Sequence, residues 1–259
     1  MTAPSVTHIQ SRDNGFVKDL RRLAQDSTAY RKQGRVWLEG DHLCRAALAR
    51  GLRPQIAVFA ESFWPQVPAE WVQAAGKIVV LADALFADIS GLESPARMGY
   101  LLEWLPGQAP RPGLATVVLD RVQDAGNVGS ILRSAAAFGF LQVVALKGTA
   151  ALWSQKVLRA GMGAHFGLHL VESVEVDALD ALQVPLIVTS SHQGKLIEHT
   201  ELPWPCAWAM GHEGQGVGAA VEARAALQVR IGQPGGEESL NVAAAAAICL
   251  HASALSAAG

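Results

Sequence analysis

The chain has 259 residues, half of them hydrophobic and 17% charged, with a formal net charge of −2. That composition excludes a disordered or collagen-like chain and supplies apolar surface for one large or two modest cores. Charge is uneven: residues 1–53 carry ten Lys/Arg against five Asp/Glu and the rest eleven against eighteen, so a basic first fifth precedes an acidic remainder.

The opening MTAPSVTHIQSRDNG is polar, and no secretory signal is expected from it. Lys18, Arg21 and Arg22 then fall on one face of an expected helix, with Arg31, Lys32 and Arg35 just beyond. Such a cluster is either a solvated helix face or a patch that contacts phosphates. RVWLEG, QIAVFA, KIVVLA and GYLLEW read as short strands, separated by helices at Asp41–Ala49 and Ala69–Ala75. Together they make a small α/β unit over residues 1–105. LPGQAPRPG, residues 105–113, is rich in proline and glycine and reads as a linker, 106–113, to a second domain over 114–259.

In that domain LATVVLD and LQVVALKG read as buried strands around a helix near Val128–Phe138. Further strands are expected at HFGLHLV, PLIVTS, CAWAMG and LQVRIG, with helices at Val217–Ala226 and Leu240–Ala257. Apolar strands alternating with helices imply a mostly parallel sheet covered on both faces. The Ala-rich C-terminal stretch is short for a membrane span and reads as a packed helix. Cys44, Cys206 and Cys249 lie far apart among apolar neighbours, which fits free thiols in a reducing cytoplasm. His165 and His169 share an expected strand face without neighbouring Cys or carboxylate, so no metal site is expected.

Ligands of parallel sheets gather at the carboxyl ends of the strands. Three such loops are rich in glycine and polar side chains: DRVQDAGNVGSILRSAAAFG, GHEGQGVG and QPGGEESLNV. Singly, each has a modest explanation: Asn127 as a helix cap, GHEGQGVG as a tight turn, Glu213 as a helix-terminus contact, Ser239 as the cap of the last helix. GHEGQGVG matches neither the dinucleotide fingerprint nor the Walker spacing.

Taken together, N-x-G-x-x-x-R (Asn127, Gly129, Arg133), G-x-E-G-x-G (Gly211–Gly216) and I-x-x-x-G-x-x-x-S-L-N-V (Ile231–Val242) resemble the three motifs of the SpoU family. These are RNA ribose 2′-O-methyltransferases of the knotted SPOUT class. SQKVLRAGMGA (Ser154–Ala164) adds a family-like segment, and residues 17–48 resemble the substrate-binding domain that precedes the ribosomal-RNA members. Two departures stand out: Asp124-Ala125 where the family has Asp-Pro, and Ile231-Gly232-Gln233 where it has Ile-Pro-Met.

The resemblance implies a C-terminal trefoil knot that binds S-adenosylmethionine through Thr189, Gly211, Gly214, Ile231 and Leu240. It assigns catalysis to Arg133, Asn127, Ser239, Glu213 and Asn241, and RNA contacts to Lys18, Arg21, Arg22, Arg31, Lys32 and Arg159. It also implies a homodimer that acts on ribosomal RNA, beside the cytoplasm read from the cysteines and the absence of a metal site read from the histidines. The alternatives are a tRNA ribose methyltransferase, a non-catalytic RNA-binding protein on the same fold, and a nucleotide enzyme using the Gly211 loop.

Overall fold

The computed structural model describes residues 4–91, 94–190, 194–235 and 239–258. Glu237 and Glu238, which the sequence places at the mouth of the last helix, and the first residues after PLIVTS lie outside the described residues. Two compact units emerge. One is built on the chain up to Pro106 together with Trp153–Phe166, the other on Gly107–Leu152 and the chain from Gly167.

The first unit runs β1 (Ser5–Ile9), α1 (Gly15–Gln25), α2 (Ala29–Gln33), β2 (Arg35–Glu39), α3 (Asp41–Ala49), β3 (Ile56–Ala60), α4 (Ala69–Gln73), β4 (Lys77–Leu81), α5 (Asp83–Ile89) and β5 (Met98–Glu103). Its sheet has the order β1-β4-β3-β5-β2, with β5 antiparallel to both neighbours. Asn14 caps α1 by accepting from the Phe16 N–H at 2.9 Å, and Val17, Leu20 and Leu23 form the buried stripe. The sequence gives little sign of β1: four of its five residues are exposed, and parallel backbone pairing with β4 holds it.

The second unit contains β6 (Thr116–Leu119), α6 (Ala125–Ala137) and β7 (Gln142–Leu146). Next comes α7 (Gln155–Gly161), which the sequence places in the second domain but which groups with the first unit. There the Gln155 side chain is buried and donates to the Trp37 carbonyl at 2.7 Å. The second unit resumes with β8 (His169–Val174), β9 (Leu186–Thr189), β10 (Lys195–Leu196), β11 (Ala207–Met210), α8 (Ala219–Glu222), β12 (Leu227–Arg230) and α9 (Val242–Ala258).

These seven strands are all parallel, in the order β10-β12-β9-β11-β6-β7-β8. β6, β7 and β11 are buried at every residue, which is why they read as unbroken apolar runs. On one side α6 presents Val128, Ile131, Leu132 and Ala135 and packs on α9, whose Ala246, Cys249, Leu250 and Ser253 are buried. Ser253 also accepts a hydrogen bond from the Trp208 indole at 2.8 Å, tying α9 to β11. On the other side lie Val144, Val171, Leu179, Val188 and Val221.

Some expectations need correction. His165 and His169 do not share a strand: His165 is buried in the turn Ala164–Gly167, and His169 opens β8 with its Nε2 2.8 Å from the Ala109 carbonyl. The helix expected at Val217–Ala226 shrinks to α8, because the Gly218 N–H is taken by Asp120 and Ala226 already pairs with Leu186. Among the described residues, no helix is long and apolar enough to cross a membrane, and no group of His, Cys, Asp and Glu could hold a metal ion.

Candidate active site

β12, β9, β11 and β6 are adjacent in the sheet, so the loops leaving their carboxyl ends converge. A cavity of about 600 Å³ lies there, within the range of small-molecule sites. It is lined by Thr189 at the end of β9, by Gly211–Val217 after β11, by Ile231 and Gln233 after β12, and by Ser239–Val242 at the start of α9. All five residues the sequence names for the cofactor line this one cavity, with Glu213, Ser239 and Asn241 of the catalytic set.

The Gly211 loop is a closed turn. The His212 N–H donates to the Gly216 carbonyl at 3.0 Å and the Gly216 N–H returns to His212 at 2.8 Å. A Cβ on Gly211 would lie 2.2 Å from the Gly216 and Val217 backbone, so no larger residue fits.

Glu213 projects from this turn to the entrance of α6. Its carboxylate accepts from the Gln123 N–H at 3.2 Å, the Asp124 N–H at 3.1 Å and Asn127 Nδ2 at 3.1 Å. Asn127 Oδ1 in turn accepts from Asn241 Nδ2 at 3.0 Å. One polar chain therefore joins all three glycine-rich loops. Partial burial works against the Glu213 charge, but the hydrogen bonds from Asn127, Asp124 and Gln123 outweigh it and hold the carboxyl below its ordinary range.

The caps differ from the sequence assignment. Asp124, not Asn127, caps α6 by accepting from the Asn127 N–H at 2.8 Å, and this frees the Asn127 amide for Glu213. Asn241, not Ser239, caps α9, accepting from Ala243 and Ala244 at 2.9 and 3.3 Å.

Arg133 is not brought into the cavity. It lies exposed on α6 without an ion-pair partner among the described residues. In the first unit, Lys18 and Arg22 share the exposed face of α1, with Lys18 3.3 Å from Asp13. Arg21 is bound by Asp88, Arg31 lies over the Tyr30 ring at 5.4 Å, Lys32 is exposed, and Arg159 is half-buried on α7.

The sequence marked Gln233 only as a departure from the family pattern, and it did not single out Asp120, Arg121 or Gln215. Gln233 lines the cavity, and its Oε1 is buried without a hydrogen-bond partner among the described residues. Glycine backbone, the Thr189 and Ser239 hydroxyls and this unused acceptor suit a ligand with both apolar and hydrogen-bonding parts, as S-adenosylmethionine is.

A parallel sheet carrying glycine-rich polar loops at the carboxyl ends of adjacent strands defines an α/β protein built to hold a small cofactor beside a helix entrance. The model of the SpoU rRNA Methylase family matches residues 115–251, and that of the MRM3-like substrate binding domain matches 14–98. The chain belongs to the SpoU rRNA methylase family. It is similar to the 23S rRNA (guanosine(2553)-2'-O)-methyltransferase RlmP of Bacillus subtilis, at 30% identity over 94% of this chain and 97% of that one. It is similar to the mitochondrial rRNA methyltransferase 3 of Mus musculus, at 34% identity over 63% of this chain and 42% of that one. Among solved structures it resembles an AdoMet-bound rRNA methyltransferase from Sinorhizobium meliloti, with 27% identity, a TM-score of 0.81, and coverage of 95% and 97%.

Proposed function

We propose that this protein transfers a methyl group from S-adenosylmethionine to a ribose 2′-hydroxyl of ribosomal RNA. The observation that carries the reading is the cavity in which Thr189, Gly211, Gly214, Ile231 and Leu240 meet the Glu213–Asn127–Asn241 chain. The bound cofactor supplies a methyl group already activated by its sulfonium. The protein's share is to position the ribose and to ease loss of a proton from a weakly acidic hydroxyl.

Arg133 remains a cation, since a guanidinium does not lose its proton under ordinary conditions. It binds the target phosphate and stabilises charge developing on the ribose oxygen. Ser239 and Asn241 orient the ribose, and Glu213 holds Asn127 in place. Because Arg133 lies outside the cavity lining, it serves a composite site completed by a second copy in a homodimer, with the backbone threaded as the family's trefoil knot. Lys18, Arg22 and Lys32, all exposed, contact RNA phosphates with Arg21, Arg31 and Arg159 in support. The first unit favours ribosomal RNA over tRNA, as do the relatives' names. The enzyme works in the cytoplasm and needs no metal.

The test is transfer of labelled methyl from S-adenosylmethionine to unmodified ribosomal RNA and to tRNA, with Arg133→Ala alongside. Label is expected at a ribose of ribosomal RNA, reduced at least about 100-fold in the variant. Absence of cofactor binding would overturn the reading in favour of a non-catalytic RNA-binding protein.

A further inference from the structure

Arg121, between β6 and α6, adopts a left-handed backbone conformation with φ of +60°. Only glycine, asparagine and aspartate enter this region readily, so an arginine here is held against its preference. Such a conformation persists where surrounding structure over-determines it; Met162, Ser173 and Gln183 share it, and Arg121 is set apart from them by what its side chain holds.

The restraints are numerous. The Arg121 N–H donates to the Thr149 hydroxyl at 3.1 Å, and that hydroxyl donates to the Leu119 carbonyl at 2.9 Å. The guanidinium forks onto the neighbouring Asp120, with Nε 2.9 Å from Oδ1 and Nη2 3.2 Å from Oδ2. Its third nitrogen, Nη1, donates to Oε1 of Gln215 at 3.0 Å. Asp120 is buried and also accepts from the Gly218 N–H at 2.6 Å. The packing is close: a Cβ on Gly218 would lie 3.0 Å from Arg121 Nη2 and 3.1 Å from Asp120 Oδ2.

The turn after β11 is therefore gripped at both ends. Glu213 reaches out from it to the β6–α6 connection, and Asp120 and Arg121 reach back from that connection to Gln215 and Gly218. The geometry points to Arg121 and Asp120 as a positioning pair that sets the Gly211–Gly218 turn, and through it the affinity for the cofactor. Neither residue lines the cavity, so the pair acts through the turn. This inference rests on the methyl-transfer reading for the identity of the cofactor, but the grip on the turn does not.

Arg121→Gly removes the grip on Gln215. Glycine relieves the left-handed backbone but leaves the buried Asp120 carboxylate without its cation, so the variant should melt a few degrees lower than the wild type and is assayed well below its own transition. Amide hydrogen exchange in residues 211–218 should rise about tenfold without cofactor. Calorimetric Kd and KM for S-adenosylmethionine should rise by about the same factor, with kcat at saturation unchanged. Arg121→Lys, which keeps the charge but not the fork, should fall between the two.

Unchanged exchange in the turn, or unchanged Kd in a wild type that binds, would overturn the inference. A wild type that binds no S-adenosylmethionine would instead overturn the methyl-transfer reading, with exchange still deciding whether Arg121 grips the turn.

Discussion

Asn127 Nδ2 donates to Glu213 Oε1 at 3.1 Å, although 86 residues separate them in sequence. The same amide accepts from Asn241 through its oxygen, so both ends of Asn127 are used. A carboxylate at the start of α6 also meets the helix's unsatisfied N–H groups and the positive end of its dipole. One side chain thus serves both a helix terminus and a bridge between loops.

Residues that act through one hydrogen-bonded chain give non-additive losses. Asn127→Ala should lower kcat/KM for methyl transfer about 100-fold, and Asn241→Ala about tenfold. The double variant should lose little more than Asn127→Ala alone. Fully multiplicative losses would show that the two amides act separately.

The pH dependence follows from Glu213. Hydrogen bonds, against the opposing effect of burial, hold its carboxyl below the ordinary value of 4.5. A depressed carboxyl contributes in its ionised form, fully above the unfolded value and progressively less as pH falls through the folded one. The Glu213 contribution to stability should therefore be intact at neutral pH and be lost only as pH falls below the ordinary glutamate range. Glu213→Gln should melt lower at neutral pH and lose that part of the acid dependence. Melting curves across the range check both.

Much of the second unit was legible because its physics is local. β6 and β11 are buried on both faces, and such strands need apolar residues at every position. The cavity lining was legible through the resemblance to the SpoU motifs; of the five residues it named, only Gly211 and Gly214 are glycines, the residue that close backbone approach favours. β1 was not: its Ser, Thr and His face outward, and its partner strand begins at Lys77. Arg121 escaped for a related reason, since a left-handed position announces itself only when glycine or asparagine fills it. The basic cluster hid its partners, because Asp88 reaches Arg21 through packing of α1 on α5 that no spacing rule reveals.

Gln233 stands where the family has methionine, and its buried Oε1 lacks a partner among the described residues. A buried unsatisfied acceptor costs on the order of 1–3 kcal/mol, toward the low end for a residue that is only half-buried. Gln233→Met should therefore raise the melting temperature of the cofactor-free protein by about 2–4 °C. With S-adenosylmethionine present the gain should shrink if the cofactor supplies the missing donor. An unchanged melting temperature in both states would mean that solvent already satisfies the oxygen.

The thiols report on the helix that carries the site. Cys206, beneath α9, is pushed up to about 11 by burial, despite opposing hydrogen bonds from Ser253 and Trp208. Burial likewise takes Cys249, on α9 itself, to about 12. At pH 8 only about one Cys206 thiol in a thousand is ionised, and iodoacetamide reacts with the thiolate. Neither thiol should be alkylated in the native protein over hours, while both should react at once in guanidinium. Slow native labelling at both positions would mean that α9 lifts from β11 and breaks the Trp208–Ser253 bond. Because Ser239, Leu240 and Asn241 line the cavity at the mouth of that helix, S-adenosylmethionine should then suppress the labelling by stabilising the closed form. Labelling that the cofactor leaves untouched would show that the far end of α9 opens independently of the site.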